Sequence, residues 1–154
     1  MGKTMDSKDA ISAALAECYV TIDGNRYNFA QMINLEASME KNKSKIPILG
    51  KTGKGNVSGG WEGSGSATMH YNQSIMRELL YKYKETGEDT YFDVQITNKG
   101  NPKLGRQTVI LKDCNLDGGI IAKFDADAEY LDEDIDFTFD DWEMPEKFNL
   151  LDIM

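Results

Sequence analysis

Apolar and polar residues alternate with a period of two over most of this chain, and this pattern limits its possible folds more than any other. The clearest run is 61–71, where every even position is polar and the odd positions are apolar residues or glycine. Such alternation is typical of strands that bury one face. Helical spacing with end signals occurs at 73–86, ahead of Gly87. We therefore predict a mainly β (α+β) fold: a β-sandwich or small barrel of about seven strands with one flanking α-helix.

The same alternation gives the approximate bounds of the strands. Asp23-Gly24-Asn25 is a hairpin turn signal, and the strand that follows is long because its alternation continues to Met39. Gly63 and Gly65 stand inside a strand, which predicts close backbone approach or strong curvature. The predicted strands are residues 18–22, 27–39, 61–71, 91–97, 107–116, 120–130 and 135–139.

The length of 154 residues suits a single domain. We expect an N-terminal arm at 1–17, a β domain at 18–148 and a C-terminal tail at 149–154. Residues 41–60 contain five lysines, five glycines and no acid, so we predict a long extended loop there.

The net charge of −9 arises at the end of the sequence. Residues 1–123 hold 16 basic and 14 acidic residues, whereas residues 124–154 hold one basic and 12 acidic residues. Phosphates and anionic membranes repel such a chain, so we do not expect it to read a DNA sequence. No run approaches the roughly 18 apolar residues of a membrane-spanning helix, and the N-terminus lacks the apolar run of a signal peptide.

Two motifs resemble ligand sites but lack a required residue. Gly50-Lys51-Thr52 resembles the end of a phosphate-binding loop, yet position 45, where that loop needs glycine, is lysine. The carboxylates at 125–129 resemble a calcium loop, yet Tyr130 stands where glycine is required. Two cysteines and one histidine form neither a disulfide framework nor a zinc pattern. We therefore predict that the protein is not an enzyme, and we assign no catalytic residue, cofactor or metal ligand.

A lysine-rich segment and an acidic segment are candidates for contact between copies of the chain. The lysines of 41–60 surround an apolar cluster at 46–49 that one domain cannot easily bury. Two complementary patches on one chain produce head-to-tail contacts, which close into rings or extend as filaments. The alternative is that both are solvated surfaces that never meet. The candidate contact residues are Lys43, Lys45, Ile46, Ile48, Leu49, Lys51, Lys54, Asp125, Asp127 and Glu129.

Several segments, in this order and spacing, resemble one family of structural proteins. The segments are VTIDG at 20–24, LEASMEKNK at 35–43, ILG at 48–50, GSGSAT at 63–68, YFDV at 91–94, GRQTV at 105–109 and FTFDDWEMPEKF at 137–148. They are similar to the inner tail tube proteins of contractile-tailed phages, defective prophages and phage-tail-like bacteriocins of Gram-positive bacteria, of the PBSX type. The resemblance covers residues 18–148.

The resemblance implies hexameric rings stacked into a hollow tube that guides DNA or punctures a target envelope. The implied partners are other copies of the chain and the sheath, tape-measure, baseplate and tail-terminator proteins, with DNA passing but not bound by sequence. The implied location is the tail of a virion or phage-tail-like particle, assembled in the bacterial cytoplasm. Two alternatives remain: a tube subunit of a type VI-like contractile injection system, or a soluble β-domain that binds a small ligand or cation through the acidic residues at 125–136.

If the chain forms a DNA conduit, its lumen should be polar and free of positive charge, because each contact with a phosphate makes DNA adhere. The polar positions of 34–40 and 62–68 meet this requirement, since none of them is lysine or arginine. The residues that we predict to face the lumen are Asn34, Glu36, Ser38, Glu40, Glu62, Ser64, Ser66 and Thr68.

Overall fold

The protein is described by a computed structural model that covers residues 7, 10–11, 16–29 and 32–150. Within these residues the chain forms eight strands and one helix. The elements are β1 (Ala16–Ile22), β2 (Asn25–Asn28), β3 (Met32–Pro47), β4 (Lys54–His70), α1 (Ile75–Thr86), β5 (Phe92–Lys99), β6 (Arg106–Gly118), β7 (Asp132–Phe139) and β8 (Asp141–Glu146). The prediction of a mainly β fold with one helix is confirmed.

All strand pairs are antiparallel and belong to one sheet, in the order β2-β1-β5-β6-β7-β4-β3, with β8 paired to β6 beside this path. The strand β6 changes partners along its length: residues 106–114 pair with β5, and residues 115–118 pair with β7. A bulge lies just before this change of partner, where Asp113 has a φ of 52° and its N–H donates to the Asp93 carboxylate at 3.2 Å. Because a bulge bends a strand and increases its twist, β6 connects two halves of the sheet that face each other.

The core lies between these two halves. In β7, Ile135, Phe137 and Phe139 are buried while Asp134 and Asp136 are exposed, as alternation predicts for a strand with one core face. The opposite half contributes alternate residues of β1 and β5, and α1 contributes one buried methionine. The buried cluster comprises Val20, Ile22, Phe29, Ala67, Met69, Met76, Phe92, Val94, Leu111, Cys114, Ile135, Phe137 and Phe139.

The helix α1 flanks the sheet and is fixed to β7 by a buried ion pair. It ends at Gly87, whose φ is 75° and whose N–H donates to the Tyr83 carbonyl. Arg77 pairs with Glu133, which is only 3% exposed, and the amide of Gln73 donates to the same carboxylate at 3.0 Å. The predicted helix at 73–86 is confirmed, with its observed start at Ile75.

The predicted loop at 41–60 is wrong, because most of this segment is a β-hairpin. β3 continues to Pro47, β4 begins at Lys54, and residues 48–53 connect them. The paired backbones satisfy their own hydrogen bonds, while the side chains on both faces are solvated. A strand exposed on both faces has no buried face to impose the apolar alternation from which strands were predicted.

The predicted strand at 120–130 is also wrong, since residues 119–131 are irregular. Two large residues of its predicted apolar face are not buried: Phe124 is 89% exposed and Tyr130 is 63% exposed. The carboxylate of Asp125 accepts a hydrogen bond from the N–H of Asp127 at 3.1 Å, a local turn that competes with strand pairing.

Two further boundaries differ from the prediction. The predicted strand at 27–39 is divided between β2, which ends at Asn28, and β3, which begins at Met32, and the N–H of Met32 donates to the Phe29 carbonyl. The strand β8 was not predicted. It contains Pro145, which an edge strand tolerates because one side of its backbone makes no ladder bonds.

The terminal segments lie partly outside the described residues. Most of the predicted arm at 1–17 lies outside the described residues, and Ala16 and Glu17 already belong to β1. In the predicted tail, the N–H of Asn149 donates to the Leu104 carbonyl at 2.7 Å, and residues 151–154 are not described. Among the described residues, no helix is both long enough and apolar enough to cross a membrane.

Candidate functional site

The eight residues predicted to face the lumen form one continuous surface. They are direct cross-strand partners in β3 and β4, as Asn34 with Thr68, Glu36 with Ser66, Ser38 with Ser64, and Glu40 with Glu62. Directly opposed residues project from the same side of a sheet. Seven of the eight are exposed and Thr68 is half-buried, so none lies in the core.

The strand β7 widens this surface with residues that the sequence reading did not assign to it. Asp134, Asp136 and Thr138 pair with Thr68, Ser66 and Ser64 of β4. The Thr68 hydroxyl donates to the Asp134 carboxylate at 2.6 Å. The alternation in β7 shows that these residues point away from the core, but only the pairing of β7 with β4 places them beside the other eight.

We call this surface the acidic sheet face. It carries five carboxylates and no lysine or arginine, and cross-strand neighbours include the Glu40–Glu62 pair of like charges. Its members are Asn34, Glu36, Ser38, Glu40, Glu62, Ser64, Ser66, Thr68, Asp134, Asp136 and Thr138.

The β3–β4 hairpin extends beyond the rest of the sheet. β7 pairs with residues 63–70 of β4, so residues 54–62 have only β3 as a partner. Those residues span roughly 30 Å at about 3.3 Å each. We call residues 43–58, which include the turn, the distal hairpin. An isolated two-stranded hairpin is marginally stable in water, so this segment would gain stability from a partner.

The two faces of the distal hairpin differ in chemistry. Lys43 and Lys45 pair with Ser58 and Asn56, and Lys54 lies on that same face opposite Pro47. The other face carries Ile46 and Val57, which are 43% and 46% exposed, and the Ile48 side chain packs beside Gly55. Leu49, in the turn, is fully exposed. Apart from Pro47, the apolar cluster predicted from the sequence therefore lies on one face and at the tip.

The acidic partners predicted for this hairpin lie in the irregular segment before β7. Asp125, Asp127 and Glu129 are all exposed. Among the described residues, no ion pair joins them to the hairpin lysines within one protomer. The described residues also contain no cluster of three or more His, Cys, Asp or Glu side chains suited to a metal ion.

The two thiols are embedded in the sheet. Burial raises the pKa of the Cys18 thiol to about 11. Burial and, next, the Asp93 carboxylate raise the pKa of the Cys114 thiol to about 12. Both thiols are therefore protonated near neutral pH, the form that reacts poorly as a nucleophile.

Ion pairs connect neighbouring strands in the half of the sheet away from the acidic sheet face. Lys99 of β5 pairs with Glu17 of β1 at 2.7 Å, and Arg106 of β6 pairs with Glu146 of β8 at 2.6 Å. The pKa values of the Glu17 and Glu146 carboxyls lie below the usual 4.5, mainly because each carboxylate accepts a hydrogen bond from its cation. Glu146 also accepts a bond from the buried Thr108 hydroxyl at 3.2 Å.

A family model described as phage tail tube protein matches residues 3–146. This chain belongs to the phage tail tube protein family. The tail tube protein is a structural subunit of a virion or phage-tail-like particle, as the sequence resemblance implied.

Relatives and solved structures agree with this assignment. The tail tube protein is 36% identical over 129 residues to the phage-like element PBSX protein XkdM of Bacillus subtilis strain 168. The aligned residues cover 83% of this chain and 86% of XkdM. The fold of this chain is similar to a chain of the 6-fold symmetrised anti-feeding prophage baseplate, with a TM-score of 0.66, 15% identity, and coverage of 88% and 94% of the two chains. It is also similar to a chain of the sheath–tube complex of an extracellular contractile injection system, PVC, with a TM-score of 0.64, 11% identity, and coverage of 88% and 90%.

Proposed function

We propose that this tail tube protein assembles into hexameric rings that stack into the hollow inner tube of a contractile tail. The tube is the conduit for DNA in a phage or the puncturing element in a headless particle. The observation that carries this proposal is the distal hairpin, which leaves its own domain with an apolar face and a basic face both exposed. A segment of this kind requires a second surface, and a homopolymer supplies one at every repeat.

The distal hairpin is proposed to make the contact between adjacent rings. Its lysines, together with Lys51 at the turn, carry positive charge at one end of the subunit. Asp125, Asp127 and Glu129 offer opposite charge on an exposed segment. Electrostatic complementarity fixes register and partner orientation, which stacked rings need at each repeat.

The acidic sheet face is proposed to line the channel. DNA carries one phosphate charge per ~1.7 Å of helix axis, and counterions condense around these phosphates. Lysine or arginine in the lumen would replace those counterions, and their release would favour binding and hold the DNA in place. Five carboxylates among hydroxyl and amide groups instead make a wetted surface that repels the polymer.

The remaining proposed partners follow from the place of a tube in a contractile tail. A sheath would surround the tube, a tape-measure protein would occupy its lumen during assembly, and baseplate and terminator proteins would bind its two ends. Assembly would take place in the bacterial cytoplasm.

Electron microscopy of the purified protein tests the proposal. At high concentration, we expect rings or tubes about 80–100 Å wide, the size of six such domains around a pore. Six-fold averages of ring views would support the stoichiometry. A protein that remains monomeric at every concentration, and that also fails to join tubes seeded with preassembled tail fragments, would contradict it.

A further inference from the structure

Each residue of β3 lies on a defined side of the β3–β4 hairpin, even beyond the part of the hairpin that β7 accompanies. Lys41 pairs with Trp61, whereas Lys43 pairs with Ser58, so the register shift between them adds one residue to β4 and none to β3. The side chains of β3 therefore keep alternating across the shift. From residue 34 onwards, even-numbered residues of β3 stay on the side of the acidic sheet face, and odd-numbered residues stay on the core side.

The core side of the hairpin changes from apolar to basic where the hairpin leaves its own domain. At Met39 this side still contacts the rest of the domain, because the Trp142 indole N–H donates to the Met39 sulfur at 3.3 Å. Every lysine of β3 and β4 lies on this side and beyond that contact: Lys41, Lys43 and Lys45 of β3, and Lys54 of β4. We call this part of the core side the lysine side.

The other side of the hairpin continues the acidic sheet face and becomes uncharged toward the tip. It carries no lysine or arginine from residue 34 to 46 of β3 or from residue 55 to 68 of β4. We call its part beyond the carboxylates of Glu40 and Glu62 the uncharged side. Its members are Asn42, Ser44 and Ile46 of β3, with Val57 and Gly55 of β4 as the partners of Ser44 and Ile46.

We propose that the uncharged side of the distal hairpin also lines the channel, so that each ring junction adds an apolar zone to the acidic surface. The inference rests on the proposed tube, in which the acidic sheet face lines the channel and the distal hairpin reaches the next ring. If Glu36 and Glu40 point into the lumen, the alternation of β3 directs Ser44 and Ile46 there as well. The lysine side then faces the adjoining ring.

This orientation gives the two sides of the hairpin different roles. Hydroxyl, amide and apolar groups offer no positive charge to a phosphate, so the uncharged side does not hold DNA by releasing counterions. The four strand lysines are kept away from the lumen, and they remain available for the charge complementarity that fixes one ring on the next.

Retention of DNA by tubes with added lysines tests this orientation. Ser44→Lys with Val57→Lys places two positive charges at one cross-strand pair of the uncharged side, and both positions are exposed. The matched control is Asn56→Lys with Ser58→Lys, which adds the same charge on the lysine side, also at exposed positions. Each variant and the parent are assembled with short duplex DNA and treated with nuclease, and the protected DNA per tube is measured.

We expect tubes of Ser44→Lys, Val57→Lys to protect several times more DNA than tubes of the parent or of the control, with protection decreasing as salt rises. Equal protection by the two variants would overturn the inference. Loss of tubes in Ser44→Lys, Val57→Lys alone would also overturn it, because a side that is buried between subunits cannot line a channel. Shorter tubes in the control alone would support a lysine side that faces the next ring.

The variant Ser38→Lys, Ser64→Lys, on the acidic sheet face, separates this inference from the proposed function. Protected DNA in that variant but not in Ser44→Lys, Val57→Lys would overturn only the orientation of the hairpin, since strand twist would then have turned its uncharged side away from the lumen. Nuclease-sensitive DNA in both variants would contradict the proposed channel lining, and this inference with it. Absence of rings and tubes in the parent would contradict the assembly itself.

Discussion

Gly65 of β4 lies directly opposite Phe137 of β7, and the aromatic ring occupies the space that a side chain at Gly65 would fill. A Cβ at Gly65 would lie 2.5 Å from Cζ of Phe137, and the neighbouring pair, Gly63 with Phe139, makes the same type of contact. The two glycines allow the buried rings to lie against the backbone of β4. The close approach predicted from in-strand glycines is therefore confirmed.

Gly65→Ala should destabilise the fold by about 1–3 kcal/mol, because the added methyl overpacks a filled core. The free energy of unfolding, measured by urea titration of dilute unassembled protein, checks this. Gly53→Ala is the matched control, since no atom lies within 4 Å of a Cβ at that position. Equal urea midpoints for the two variants would contradict the packing argument.

Arg77→Met should cost about 3 kcal/mol, because it leaves the buried Glu133 carboxylate without its cation. The double variant Arg77→Met, Glu133→Leu should recover much of that loss, since it removes the unpaired charge as well. Lys84→Met is the control: its pair with Glu85 is exposed, with side chains 71% and 50% accessible, and should contribute less than about 1 kcal/mol. A double variant no more stable than Arg77→Met would count against this account.

The ion pair between Arg106 and Glu146 should make stability depend on pH. The folded pKa of Glu146 is lowered, so its contribution is present above the unfolded value near 4.5 and is lost as pH falls through the folded pKa. The urea midpoint of Glu146→Gln should therefore lie below that of the parent at pH 7 and converge with it in acid. The same comparison in an Arg106→Met background should give a much smaller difference. If the difference in urea midpoint between the parent and Glu146→Gln stays the same below the folded pKa, the effect of Glu146 does not come from its charge.

Lys51→Glu with Lys54→Glu should weaken stacking of rings more than folding of the subunit, because both side chains lie on the exposed distal hairpin. Tube length measured by electron microscopy should fall, while the urea midpoint remains close to that of the parent. The same charge change at Lys82 and Lys84 of α1 serves as the control. Tubes of normal length in the hairpin variant would exclude the proposed electrostatic contact.

Ser38→Lys with Ser64→Lys places two positive charges at one cross-strand pair of the acidic sheet face. If this face lines the channel, tubes assembled in the presence of short DNA should retain fragments that added nuclease cannot reach, and retention should decrease as salt rises. Glu85→Lys, Glu88→Lys, at exposed positions near the end of α1, is the control and should bind only nuclease-sensitive DNA. Nuclease-sensitive DNA in both variants would place the acidic sheet face outside the lumen.

The sequence predicted best those strands that have one buried face. β7 and the 61–70 part of β4 alternate because one side contacts the core, and both were found close to their observed positions. The distal hairpin was missed because neither face is buried in the protomer, so its sequence lacks the alternating apolar signal. The prediction for residues 120–130 was wrong for the opposite reason: alternation is present there, but the segment pairs with no strand.

The candidate surfaces were predictable in part for a related reason. Alternation assigns Glu36 and Ser66 to the outer faces of their strands, but it does not show that the two residues are neighbours. Their positions relative to each other depend on the register of β3 against β4, and that register depends on long-range pairing that one sequence does not reveal. The contribution of Asp134 and Asp136 to the acidic sheet face, and the position of Met39 beside Trp142, therefore required the structure.

The unbroken order of strands has a mechanical consequence. A pull on the distal hairpin passes from β3 and β4 to β7, and then through β6 to β5 and β1, along one path of paired strands. The narrowest step is the short pairing between β6 and β7. Under tension along the hairpin, the subunit should yield first at this junction, between the two halves of the sheet.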